Sequence, residues 1–133
     1  MSRGLLVPAA MHSERTEVMA LLFKTGTPQA LLNDFKKKID EGHVVTWSYD
    51  KDGDFTHTPD QWRNQAWMRP SIDLGGLRFN ILGNSKVITT KPVYGVFHGR
   101  LVESVATHSD DRFTDVTVTA RATNSDIITT KAA

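Results

Sequence analysis

The chain has 133 residues, 39% hydrophobic and 23% charged, with a formal net charge of +1 and no cysteine. That length suits one domain with a core of its own, so a single domain over residues 1–133 is expected. The missing cysteines exclude disulfide scaffolds, thiol catalysis and cysteine-ligated zinc, and the near-neutral charge argues against nucleic acid as a partner.

Residues 1–12 read as a loose leader. Arg3, Leu5-Leu6-Val7 and Ala9-Ala10 sketch a signal peptide, but the apolar run is shorter than the roughly 7–15 residues such a segment needs. Met11 is an alternative start. No stretch approaches the roughly 20 apolar residues of a membrane span. No membrane partner is expected, and a bacterial cytoplasm fits the composition.

Residues 13–23 carry a short helical pattern. Ser13 caps it, Glu14 and Glu17 suit the helix dipole, and Val18, Leu21 and Leu22 form a stripe. A stronger helix spans 27–42. Thr27 stands at the N-cap and Pro28 at the first helical position; Leu31, Leu32, Phe35 and Ile39 share one face. Gly42 supplies the left-handed stop. Lys36, Lys37 and Lys38 lie near the C-terminal end, where cations suit the dipole, so they read as a solvated face before they read as a phosphate contact.

Residues 43–70 hold all three tryptophans. Alternation from 43 to 49 predicts a strand, Asp50-Lys51-Asp52-Gly53 a hairpin turn, and 54–58 a second strand with Phe55 and His57 on one face. Thr58-Pro59-Asp60-Gln61 reads as a capping box opening one helical turn that ends near Asn64. A third strand covers 65–72, with Ala66, Met68 and Pro70 on one side and Trp67 and Arg69 on the other. After a turn at 73–76, Leu77, Phe79 and Ile81 alternate as a fourth strand. Residues 86–90 read as a short strand that Pro92 interrupts. Leu101, Val102, Val105 and Ala106 fall at helical spacing, which predicts a helix over 99–109; a continuous strand from Val93 is the rival. Residues 113–121 alternate as a last strand, and 124–133 read as a loose tail. The expected class is therefore α+β: a single, mostly antiparallel sheet of five to six strands against two main helices.

Chemistry is sparse. Asp50, Asp52 and Asp54 copy the start of a calcium loop, but Phe55 stands where glycine is required and Gln61 where a bidentate glutamate is required. His57, His98 and His108 lack tight ligand spacing, so no metal site is assigned, and no motif implies a cofactor. No hydrolase elbow, P-loop or dinucleotide fingerprint occurs. The richer signal is aromatic. Trp47, His57, Trp62, Trp67, Arg69 and His98 are the candidate ligand- or partner-binding residues, since tryptophan and arginine are enriched at binding hot spots. The expected function is a small non-enzymatic binding or adaptor protein, homodimeric, taking a small ligand or a protein partner. Two alternatives stand beside it: an acid/base enzyme using His57, Asp54 or Asp60, and Arg69, and nucleic-acid binding through Lys36–Lys38.

Two stretches, T-W-S-Y-D-K-D-G-D-F-T-H-T-P-D-Q-W-R-N-Q-A-W-M-R-P and V-Y-G-V-F-H-G-R-L-V-E-S-V-A-T-H, resemble a group of short bacterial proteins of the mobile, integron gene-cassette kind. The likeness runs from Leu31 to Val118. It implies a cytoplasmic, stand-alone and self-associating protein, and it implies no activity.

Overall fold

A computed structural model describes residues 20–131. The expected leader and residues 13–19 of the first helical pattern lie outside the described residues. Six strands form one sheet: Leu21–Lys24 (β1), Trp47–Tyr49 (β2), Phe55–His57 (β3), Ala66–Asp73 (β4), Gly76–Gly83 (β5) and Asp115–Val118 (β6). Their order is β2-β3-β4-β5-β1-β6, and every pair is antiparallel. The helices are Pro28–Asp40 (α1) and Lys91–His108 (α2). The class expected from the sequence is the one observed.

Both helices pack on the same face of the sheet. From α1, Leu31, Leu32 and Phe35 are buried; from α2, Val93, Phe97, Leu101 and Val105 are. They meet the alternate strand residues Leu21, Phe23, Trp47, Phe55, Met68, Leu77, Phe79 and Ile81. Ring contacts run through this layer: Phe35 to Phe55 at 5.8 Å, Phe55 to Phe79 at 5.7 Å and Phe79 to Phe23 at 5.9 Å. Fully burying one such side chain contributes about 1.5–3 kcal/mol, so this layer dominates the stability.

Helix α1 follows its sequence signals closely. Pro28 begins it, although the Thr27 hydroxyl makes no cap bond. Its exit is a Schellman motif: His43 N–H donates to Lys38 O and Gly42 N–H to Ile39 O, with Gly42 at φ +81°. Those bonds draw His43 and Val44 out of the expected strand, which shortens to Trp47–Tyr49.

Four expectations are corrected. Leu21–Phe23 are strand, because Leu21 and Phe23 pair with Phe79 and Leu77 in mid-sheet and both bury one face. Residues 86–90 form no strand, and α2 begins eight residues earlier than expected. Thr90 caps it, its hydroxyl accepting from Val93 N–H at 3.3 Å, and Pro92 sits in the first turn. The tail beyond residue 123 is not loose as far as it is described. Ile127 N–H donates to Ile81 O, Gly83 N–H to Ile127 O and Thr89 N–H to Thr129 O. Strand β1 covers β5 only from Gly76 to Phe79, and Ile127 bridges the remainder at Leu82.

Gly76 closes the β4–β5 hairpin at φ +144°, and a Cβ there would stand 2.0 Å from Phe23 O. Pro70 lies inside β4 without penalty on the β3 side, because the β3 register reaches only Met68.

Candidate ligand-binding site

The β2–β3 hairpin is built as its turn residues dictate. Asp50 Oδ1 accepts from the N–H groups of Asp52 and Asp54 at 2.9 and 3.0 Å, and Gly53 takes φ +84°. The Asp50 carboxylate thus serves its own turn. Asp54, buried on the other sheet face, receives Arg69 through two bonds of 2.9 Å each. The calcium-like run is a turn and an ion pair. Among the described residues no three His, Asp or Glu side chains gather where they could hold a metal ion.

The six candidate residues do not converge. Trp47 and His57 lie opposite each other in the hairpin, rings 4.7 Å apart, and both are buried beneath α2 against Phe97. His98 is 2% exposed and stacks on Tyr94 at 3.9 Å. Trp62 packs on the rim of the core; the expected turn around it holds one i→i+4 bond, Arg63 N–H to Pro59 O at 2.9 Å, and ends at Asn64 with φ +63°, while the Thr58 hydroxyl donates to Val45 O instead of capping. Trp67 and Arg69 occupy the opposite face, across from Leu82 and Asn80. Trp47, His57 and His98 are thus core residues, not a mouth.

The alternative catalytic set separates likewise. His57 points inward, Asp54 and Arg69 lie on the far face, and Asp60 is exposed beside Arg63 at 3.6 Å. The lysine run is also divided. Lys36 sits 5.2 Å over the Tyr49 ring, and Lys38 binds Asp34 and His108 O.

The buried histidines have defined tautomers. Each Nδ1 lies against a carbonyl, Thr46 O for His57 at 2.8 Å and Tyr94 O for His98 at 2.7 Å. A carbonyl only accepts, so Nδ1 carries the proton. Burial pushes both rings below the ordinary histidine range; the backbone carbonyls oppose that shift without cancelling it. His98 Nε2 and Trp47 Nε1 are buried without a partner among the described residues.

A further concavity lies elsewhere, at the start of α2. It is a cleft of about 430 Å³ between Thr89, Thr90, Lys91, Tyr94 and Gly95 on one side and Ala120, Arg121, Ala122 and Ile128 on the other. Ligand pockets commonly measure about 300–1,000 Å³. Tyr94 is a fixed wall. Its hydroxyl lies 3.0 Å from Thr119 O and 3.0 Å from Arg121 O, and burial raises its pKa. The opposite wall is held by Asp126, whose carboxylate accepts from Asn80 Nδ2, Ile81 N–H, Thr123 N–H and the Thr123 hydroxyl. None of the cleft residues was a sequence candidate. The one usable signal was Thr90-Lys91-Pro92, the same cap-and-proline pattern that marks α1.

No family model, no curated protein and no solved structure matches the chain.

Proposed function

We propose that this chain is a small non-enzymatic binding protein whose ligand occupies the cleft at the start of α2. The observation that carries the reading is Gly95. It lines the cleft inside a helix, where glycine costs about 0.5–1 kcal/mol relative to alanine, yet an added Cβ would meet nothing within 4 Å. Nothing in the packing of the described residues asks for a glycine there, whereas a molecule lying against the helix would. The wall residues are pinned by hydrogen bonds, which favours a preformed site. A fragment screen by ligand-observed NMR tests this. Hits on the wild type should vanish with Gly95→Trp, which fills the cleft; hits that persist unchanged would place the site elsewhere.

The expected homodimer is a second reading, supported by the sheet face that neither helix covers. Trp67 is half-buried there and the Arg69 side chain is 55% exposed. Sedimentation of wild type against Trp67→Ala separates the cases: a wild-type dimer that the variant weakens supports it, and a monomer at all concentrations refutes it. Kinship with gene-cassette proteins, and the cytoplasmic setting it implies, belong to the same proposal and add no activity. Among the described residues no helix is long and apolar enough to cross a membrane.

A further inference from the structure

Two cations border the cleft, Lys91 on α2 and Arg121 on the chain that follows β6, and both are exposed. Neither side chain makes an ion pair or a hydrogen bond among the described residues. The acids nearby are committed elsewhere. Asp126 spends both oxygens on Asn80, Ile81 and Thr123, and Glu103, in the neighbouring groove, pairs with Arg100 at 3.1 Å. Among the described residues no carboxylate lines the cleft itself.

The positive character comes from these side chains more than from the helix end. Pro92 has no N–H, and the Val93 N–H is taken by Thr90. Between the cations the walls are the Tyr94 ring, Ala120, Ala122 and Ile128. Because the Tyr94 hydroxyl is engaged by the chain, what Tyr94 offers a ligand is its ring.

Resting on the reading that this cleft is the ligand site, we propose that its ligand is a small organic anion. One carboxylate or phosphate head lies between Lys91 and Arg121, and a compact apolar body, best a single ring, rests against Tyr94, Ile128 and Gly95. An arginine presents a planar fork to such a head, and a lysine a mobile point charge. The apolar walls distinguish this site from one for a bare inorganic ion, which they would leave without contact.

Four probes of one shape but different charge test the inference: benzoate, phenyl phosphate, benzyl alcohol and benzylamine, each titrated calorimetrically and followed by backbone amide shifts. The two anions should bind at least about tenfold more tightly than the alcohol and the amine, with shifts at Tyr94, Gly95 and residues 120–122. Added salt should weaken them. Benzoate against phenyl phosphate identifies the head the site prefers. In Lys91→Glu/Arg121→Glu, anion binding should be lost and benzylamine binding should appear. Both positions are exposed, and an unchanged thermal transition confirms that the variant is folded.

Benzyl alcohol binding in the cleft as tightly as benzoate would overturn the anion inference while leaving the cleft as the site. If no ring probe shifts the cleft amides, the site assignment falls and the inference falls with it. Anions that bind the charge-reversed variant as well as the wild type would also overturn the inference.

Discussion

Asp126→Ala separates a tied tail from a loose one. Asp126 clasps β5 from the C-terminal segment, at 2.9 Å from Asn80 Nδ2 and 3.0 Å from Ile81 N–H, with Thr123 N–H at 2.7 Å. Hydrogen bonds to a charged acceptor contribute about 1.5–3 kcal/mol each, and a buried donor left alone costs about 1–3 kcal/mol. The bonds share one carboxylate and are not additive. The segment also keeps its backbone bonds through Ile127 and Thr129. A net loss of about 2–3 kcal/mol for attachment of residues 123–129 follows, borne mainly by Asn80, which is 7% exposed and loses its partner. Amide hydrogen exchange reads this locally. Protection at Ile127, Gly83 and Thr89 should fall by about 30- to 150-fold, at about 1.4 kcal/mol per decade, while Leu77 and Phe79 in mid-β5 change far less. Equal loss at every amide would mean that the clasp belongs to the global fold. No loss at Ile127 would refute the clasp.

Other outcomes follow from the same structure. His57 and His98 are harder to protonate folded than unfolded, so protonation favours the unfolded chain. Their contribution is complete above pH 6.5 and is lost as pH falls below it towards their lowered folded values, at up to about 1.4 kcal/mol per pH unit for each ring; urea unfolding across that range should show the decline. Gly76→Ala forces a Cβ against Phe23 O in a backbone region that side chains avoid, and should lower stability by about 3 kcal/mol or more in the same assay. Burial alone would raise the Asp34 pKa, but bonds from the Ser109 hydroxyl and Lys38, with the Arg112 charge, outweigh it and hold the carboxyl below its ordinary 3.8. Asp34→Ala, which leaves the buried Ser109 hydroxyl unpaired, should cost about 1–2 kcal/mol at neutral pH, and that difference should close as pH falls through the lowered value.

Much of the sheet was legible because its signals are local. The Asp-Gly turn, the alternation of Leu77, Phe79 and Ile81, and the Thr27-Pro28 start and Gly42 stop of α1 each act within a few residues. What escaped depends on distant partners. Leu21 and Leu22 fit a helix or a strand equally, and pairing with Phe79 and Arg78 decides it. Val87, Ile88, Val93 and Val96 carry strand propensity, yet a cap, a proline and the burial of Val93 and Phe97 under one helical face override it. The tail shows no periodicity because one carboxylate and a few backbone bonds hold it, not an apolar stripe. The candidate residues in 43–70 were aromatic, and aromatic side chains serve cores as readily as clefts. Trp47 went to the core and Trp67 to the open face, while the cleft formed from α2, the chain after β6 and Ile128, which meet only in the folded protein.

The proposed ligand sits at the start of α2, away from the tryptophan-rich hairpin. An amide chemical-shift map recorded during titration with benzoate tests it most directly. Saturable shifts are expected at Tyr94, Gly95, Ala120, Arg121, Ala122 and Ile128, with Trp47, His57 and Trp67 unmoved. Saturable shifts centred on Trp67 and Arg69, with the α2 start silent, would contradict it.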